Sequence, residues 1–124
     1  MVADSRTRFI EHRGTQILLL DYTNIVDKET ALREIATSRR IIAQQPQNSL
    51  CTLTNVAGSR YDADVVQALK ELTAHNRPYV KAAAVVGLNP LMRVIYRAVA
   101  AFSKRDIRIF DDLEKAKDWL QEQA

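Results

Sequence analysis

Cysteine is almost missing from this chain. Cys51 is the only one in 124 residues, so no intrachain disulfide can form and a reducing cytoplasm is the expected home. It lies in "SLCTLTNV", a β-type run, where a lone thiol is expected to pack as a small buried hydrophobe. Histidine is scarce too: His12 stands between Glu11 and Arg13, and His75 falls at the end of a helical segment, where an imidazolium complements the helix dipole. Both read as surface residues on separate elements, which argues against a zinc set or a Cys/His pair. There are three glycines and three prolines, and neither G-x-G-x-x-G nor G-x-x-x-x-G-K-S/T occurs, so nucleotide-loop chemistry is not expected. The longest apolar runs, "AAAVVGL" and "VIYRAVAAF", fall well short of the ~20 residues a membrane span requires, and "MVADSRTRFI" has no signal-peptide segment. No block of one charge occurs either. The 18 basic and 15 acidic residues are interspersed, with net charge +3 and pI near 9.2. Zinc-finger spacing, aromatic stacking motifs and Lys/Arg runs are all missing, so nucleic acid is not an expected partner.

What is present reads as one domain spanning 1–124, with residues 1–7 expected to be disordered or extended. The chain is 47% hydrophobic and 27% charged, enough apolar residue for a core without metals or disulfides. "TRFIEHRGTQILLLDYT" alternates and then turns apolar on either side of Arg13-Gly14, the pattern of a hairpin with a more buried second strand. From Asp27, a plausible N-cap, to about Gln45 the residues Leu32, Ile35, Ala36, Ile42 and Ala43 recur at helical spacing, and Pro46 follows as a stop. "SLCTLTNV" is a strand, and Tyr61, Val65, Ala68, Leu69 and Leu72 mark one face of the next helix. "KAAAVVGL" is a buried strand and "NPLMRVIYRAVAAFSK" a helix opened by Asn89-Pro90. "DIRIF" is a strand, and a last helix starts at a capping-box-like pair, Asp111 and Glu114, ahead of Leu113, Ala116 and Leu120. The order is β-β-α-β-α-β-α-β-α, which implies an α/β fold. Its central five-stranded sheet is mixed but mostly parallel, with right-handed crossovers and an antiparallel first strand. Leu53, Val85, Val86 and Ile109 are the expected central-strand core.

These segments carry a resemblance. The polar strand end at Asn55, the loop "VAGSRYDAD", the helix "VVQALKEL", and the strings "RPYVKAAAVVGL", "RDIRIFDD" and "LEKAKDWL" resemble the STAS domain. The closer likeness is to the bacterial SpoIIAA-like group of small STAS-related proteins, from about Arg8 to Leu120. The resemblance implies the same mixed sheet and no established activity, enzymatic or cofactor-dependent. In anti-sigma-factor antagonists, which resemble this domain, a serine at the start of the helix after this loop is phosphorylated. With Gly58 matched, that place falls at or next to Asp64, where no serine stands. Asp62 and Asp64 favour the helix dipole and also supply a fixed negative charge that a partner could read. Ser59 offers a hydroxyl out of the matching position. The loop Gly58, Ser59, Arg60, Tyr61, Asp62 and Asp64 is thus one candidate surface for a regulatory protein partner.

The second candidate is the helix after Asn89. Leu91, Ile95, Ala98 and Phe102 form one stripe, Met92 and Val99 widen it, and only a narrow polar face remains around Arg93, Arg97 and Lys104. A helix this apolar is either buried more deeply than its neighbours, beneath the last helix, or leaves a patch that marks a partner or ligand surface. The expected patch is Leu91, Met92, Ile95, Tyr96, Val99 and Phe102, with Met92, Tyr96 and Val99 against a two-fold mate. Two functions follow: a non-enzymatic, homodimeric interaction module, or a binder of a small apolar or amphipathic ligand, the latter suggested by the kinship of this fold to CRAL-TRIO lipid-transfer domains. No residue set suggests a general acid, base or nucleophile.

Overall fold

A computed structural model of the chain describes residues 5–124. Alternation along Thr7–His12 (β1) and Thr15–Asp21 (β2) pairs the two as an antiparallel hairpin in the register Thr7↔Leu20 to His12↔Thr15. The turn is closed by Arg13 and Gly14, both at positive φ, as two-residue hairpin turns require. Then follow α1 (Lys28–Ile42), β3 (Leu50–Asn55), α2 (Ala63–Asn76), β4 (Val80–Val86), α3 (Pro90–Ser103), β5 (Ile107–Phe110) and α4 (Leu113–Gln123), in the expected order. The strands lie in the order β1-β2-β3-β4-β5, with β2 to β5 parallel.

That strand order dictates the layering. Each crossover from β2 onward steps to the next strand in the same direction, and right-handed crossovers of one direction put α1, α2 and α3 on the same face. Alternation along the strands then divides the core in two. Leu18, Leu20, Leu50, Ala83 and Val85 meet Ile35 and Ile42 of α1, Val65, Leu69 and Leu72 of α2, and Met92, Tyr96 and Val99 of α3. On the other face Ile17, Cys51, Leu53, Ala82, Ala84 and Val86 meet Ala116 and Leu120 of α4, with Trp119 packed against them.

Several local expectations shift. Helix α1 turns Ala31, Ile35, Ser38 and Ile42 inward, and leaves Leu32, Ala36 and Ala43 exposed. Ser38 is tolerated at the core because its hydroxyl bonds Thr7 Oγ1 at 2.6 Å and the Tyr22 hydroxyl. Asp27 caps α1 as expected, accepting from Thr30 N–H at 2.8 Å. The cap of α4 is Asp112 rather than Asp111: its carboxylate accepts from Glu114 N–H at 2.7 Å, while Asp111 is drawn off to Arg93. Leu53, Val85 and Val86 are buried, but Ile109 is half-buried because β5 is an edge strand. His12 is not a free surface residue; its Nε2 lies 2.7 Å from Asp118 Oδ1 and ties β1 to α4. That contact, with Arg13 close by, holds the Asp118 carboxyl below its ordinary value. His75, half-buried in the last turn of α2, stacks on Tyr79. Of residues 1–7, the first four lie outside the described residues. The next three are ordered: Arg6 Nη1 donates to Asp21 O and Thr23 O, and Thr7 opens β1.

Candidate functional site

The loop from Val56 to Asp62 is built by contact with the loop after β2. Val56 N–H bonds Val86 O, and Ser59 N–H turns back to Val56 O. Asn24 N–H donates to Ala57 O at 2.8 Å, and Arg60 N–H to Ile25 O at 3.0 Å. The Ser59 hydroxyl accepts from Ile25 N–H at 2.9 Å and donates to Tyr22 O. This loop lies so close to the loop after β2, and to the one after β4, that side chains are omitted where they meet. A Cβ at Gly58 would collide with the Asn24 side chain, and one at Gly87 would stand 2.6 Å from Ala57 N, both glycines being at positive φ.

The candidate loop residues therefore separate. Ser59 is 3% exposed and fully engaged, so it is a brace and not an available phosphoacceptor. Asp62 is the N-cap of α2, accepting from Val65 N–H at 2.9 Å. Asp64, in the first turn, is exposed and lies 2.9 Å from Lys28 Nζ at the start of α1. The hydrogen bond and charge of Asp64 hold the Lys28 ammonium above its ordinary value. Arg60 is exposed. Tyr61 points inward, its ring centroid 6.5 Å from that of Tyr96, and both hydroxyls are buried without a partner among the described residues. Burial pushes Tyr61 up to about 12 and Tyr96 well above its ordinary value.

The residues of the expected α3 patch divide between two faces of the helix. Met92, Tyr96 and Val99 face the sheet and are buried, so they are not available to a mate. Leu91 is 68% exposed, Val94 63% and Phe102 54%. Ile95 is half-buried, and Ala98 and Ala101 are exposed between them. Helix α4 cannot cover this stripe, because it packs on the opposite face of the sheet. Two features mark its edges: Lys70 Nζ lies 5.4 Å from the Phe102 ring centroid, and Arg93 pairs with Asp111.

Elsewhere the chemistry is muted. Cys51 is buried, its thiol pushed up by burial and placed 3.7 Å from Leu120 O, as a packed cysteine should be. Among the described residues no group of three or more His, Cys, Asp or Glu could hold a metal ion. No described helix is long and apolar enough to cross a membrane. At the carboxyl ends of β2 and β3, where parallel sheets usually keep ligands, a cleft of about 400 Å³ opens between the hairpin and α4. Two of its polar members are already engaged: Asp21 accepts from Thr23 Oγ1 at 2.7 Å, and Asn55 Oδ1 from Ala57 N–H at 3.1 Å. Strands β2 to β5 follow one another without a reversal of order, so no crevice forms of the kind that a switch point creates.

A mixed five-stranded sheet with three crossover helices on one face and a return helix on the other is a SpoIIAA-like domain. A solved structure with a SpoIIAA-like fold, that of an uncharacterised DUF3478-family protein from Shewanella loihica PV-4, matches it with a TM-score of 0.71. The match covers 92% of this chain and 91% of that one at 15% identity. The chain belongs to the family described as domain of unknown function DUF7793, whose model matches residues 10–124. Among curated proteins nothing matches the chain.

Proposed function

We propose that this protein is a non-enzymatic, STAS-like interaction module of the bacterial cytoplasm that works as a homodimer through the outer stripe of α3. The observation that carries the reading is the exposure of Leu91, Val94 and Phe102 on one helix face. With Ile95, Ala98 and Ala101 they recur at i, i+3, i+4, i+7, i+10 and i+11, the three-four spacing of a helix that packs along a second helix. Covering a Leu-sized side chain is worth roughly 1.5–3 kcal/mol, and a two-fold mate presents the same stripe in return. The acidic start of α2, with Asp64 exposed beside Lys28, is the surface on which a regulatory partner would read charge. That charge is fixed, in contrast to the switchable serine of the antagonists this domain resembles.

The ligand-carrier alternative needs an enclosed apolar space. The interior cavity between the sheet and α2 and α3 measures only about 40 Å³, which favours the interaction module. Sedimentation equilibrium tests the reading: the wild type should be a dimer, and Leu91→Glu or Phe102→Glu should give a folded monomer. A wild type that stays monomeric at high concentration would remove the reading's main support.

A further inference from the structure

Two hollows meet at Arg105. A surface pit of about 190 Å³ at the N-terminal ends of β4 and β5 is lined by Arg77, Lys81, Lys104 and Arg105, with Asp106 the single acid. Behind it lies the interior cavity of about 40 Å³, which shares Ala83 and Arg105 with the pit. Among the described residues, none of the four cations belongs to an ion pair.

Arg105 is put there by the way α3 ends. Lys104 takes the left-handed conformation (φ 56°, ψ 41°), its N–H bonds Ala101 O, and the N–H of Arg105 bonds Ala100 O, a Schellman closure. The Arg105 side chain then turns under the C-terminal end of α2. Burial pulls its guanidinium down to about 10, and its side-chain hydrogen bond among the described residues is a long one, Nη1 to Thr73 O at 3.4 Å. A guanidinium carries five N–H donors, so most of this fork has no protein acceptor. Tyr96, 5% exposed, lines the same cavity, and its buried hydroxyl has no well-formed hydrogen bond among the described residues. A partly desolvated guanidinium whose one hydrogen bond to protein is long gains from any acceptor that enters the pit.

We infer that Arg105 anchors a binding site for a small oxyanion, a phosphate or carboxylate group, which enters through the pit and is held by the guanidinium fork with Lys81 and Lys104 at the rim. The planar fork matches two oxygens of such a group. The cavity behind has room for roughly three water molecules, enough to bridge the bound anion to the Tyr96 hydroxyl and too little for an alkyl chain. The site is separate from the apolar stripe of α3, so it stands or falls independently of dimerisation.

The test is a titration of the whole protein with inorganic phosphate at fixed ionic strength, balanced with chloride, reading the guanidinium resonance of Arg105 and the ring resonances of Tyr96 by NMR. Octyl phosphate is the second probe. Saturable shifts at both residues are expected with inorganic phosphate. Lys81→Gln, at an exposed rim position, should weaken binding about threefold with an unchanged Tm. Arg105→Lys, which keeps the charge under α2 but loses the fork, should weaken it at least about tenfold while the protein remains folded. Saturation by inorganic phosphate assigns a free anion. Saturation by octyl phosphate alone, with the Leu69 resonances of the cavity unmoved, assigns the head group of an amphiphile whose chain stays outside. Shifts that rise without saturation, or that persist unchanged in both variants, overturn the site and leave Arg105 as a cap on the carbonyl end of α2.

Discussion

The β3–α2 loop and helix α3 stand at the same face of the sheet and handle their side chains in opposite ways. The loop is polar, yet its hydroxyl and several of its backbone groups are consumed by the neighbouring loop, so that Ser59 is sealed between Tyr22 and Ile25. The helix is apolar, yet half of that apolar surface faces away from the sheet. Polarity is therefore a poor guide to availability here. What decides is whether a neighbour within reach can satisfy the group, and a loop braced against another loop leaves less unsatisfied than a helix that touches the sheet along one side.

The largest expected effect tests the inner side of α3. Val99 is fully buried, and Val99→Glu would place a carboxylate there without a partner, costing about 4 kcal/mol or more in chemical denaturation. Leu91→Glu on the same helix should change the stability of the subunit by less than about 0.5 kcal/mol. Equal losses for the two variants would erase the distinction between the inner and outer stripes.

A middling effect tests the loop. Ser59→Ala leaves Ile25 N–H and Tyr22 O without their partner, and should cost about 1–3 kcal/mol. For the same reason a serine kinase should leave the intact mass of the folded protein unchanged. A Ser59→Ala protein as stable as wild type, or one phosphate gained at Ser59, would show that the loop is open and that the contrast with α3 is misplaced.

The smallest effect concerns the charge at the start of α2. Lys28 is held above its ordinary value by Asp64, so its folded-state value exceeds its unfolded one. The stabilisation is thus present in full below the unfolded lysine range and fades as pH rises through the raised value. Asp64→Asn should bring the Lys28 titration, followed by NMR, back down toward 10.5, with a stability change too small to resolve for so exposed a pair. A Lys28 titration unmoved by this change would mean that the pair does not form.

Much of the fold is legible along the chain, because the deciding features are local. Asp27 and the Asn89-Pro90 pair start helices α1 and α3 as read, and Arg13-Gly14 closes the hairpin. Where two adjacent residues share one chemistry, local reading fails. Asp111 and Asp112 are both competent caps, and only the proximity of Arg93, on a different element, draws Asp111 away. Helix α1 fails similarly: Leu32 and Ala36 fit the spacing as well as Ala31 and Ile35, and the outcome rests on a Thr7–Ser38–Tyr22 network that links three elements.

The candidate sites follow the same division. The composition of the Ser59 loop marks it as a turn into a helix, and the missing serine at Asp64 needs no structure to notice. That Ser59 is closed depends on Ile25 and Tyr22, more than thirty positions away along the chain. Arg105 carries no local sign at all, since the pit and the cavity that meet at it exist only once β4, β5, α2 and α3 are assembled. The order of the elements can be read along the chain, because periodicity and caps act over short stretches, whereas the layering follows from the strand order of the assembled sheet. Only the tertiary structure decided which stripe of α3 is inside. Residues 91, 92, 94, 95, 96, 98, 99, 101 and 102 are all apolar or aromatic, so the helix can satisfy its own periodicity at more than one rotation. The choice of Met92, Tyr96 and Val99 was made by the shape of the sheet they rest on.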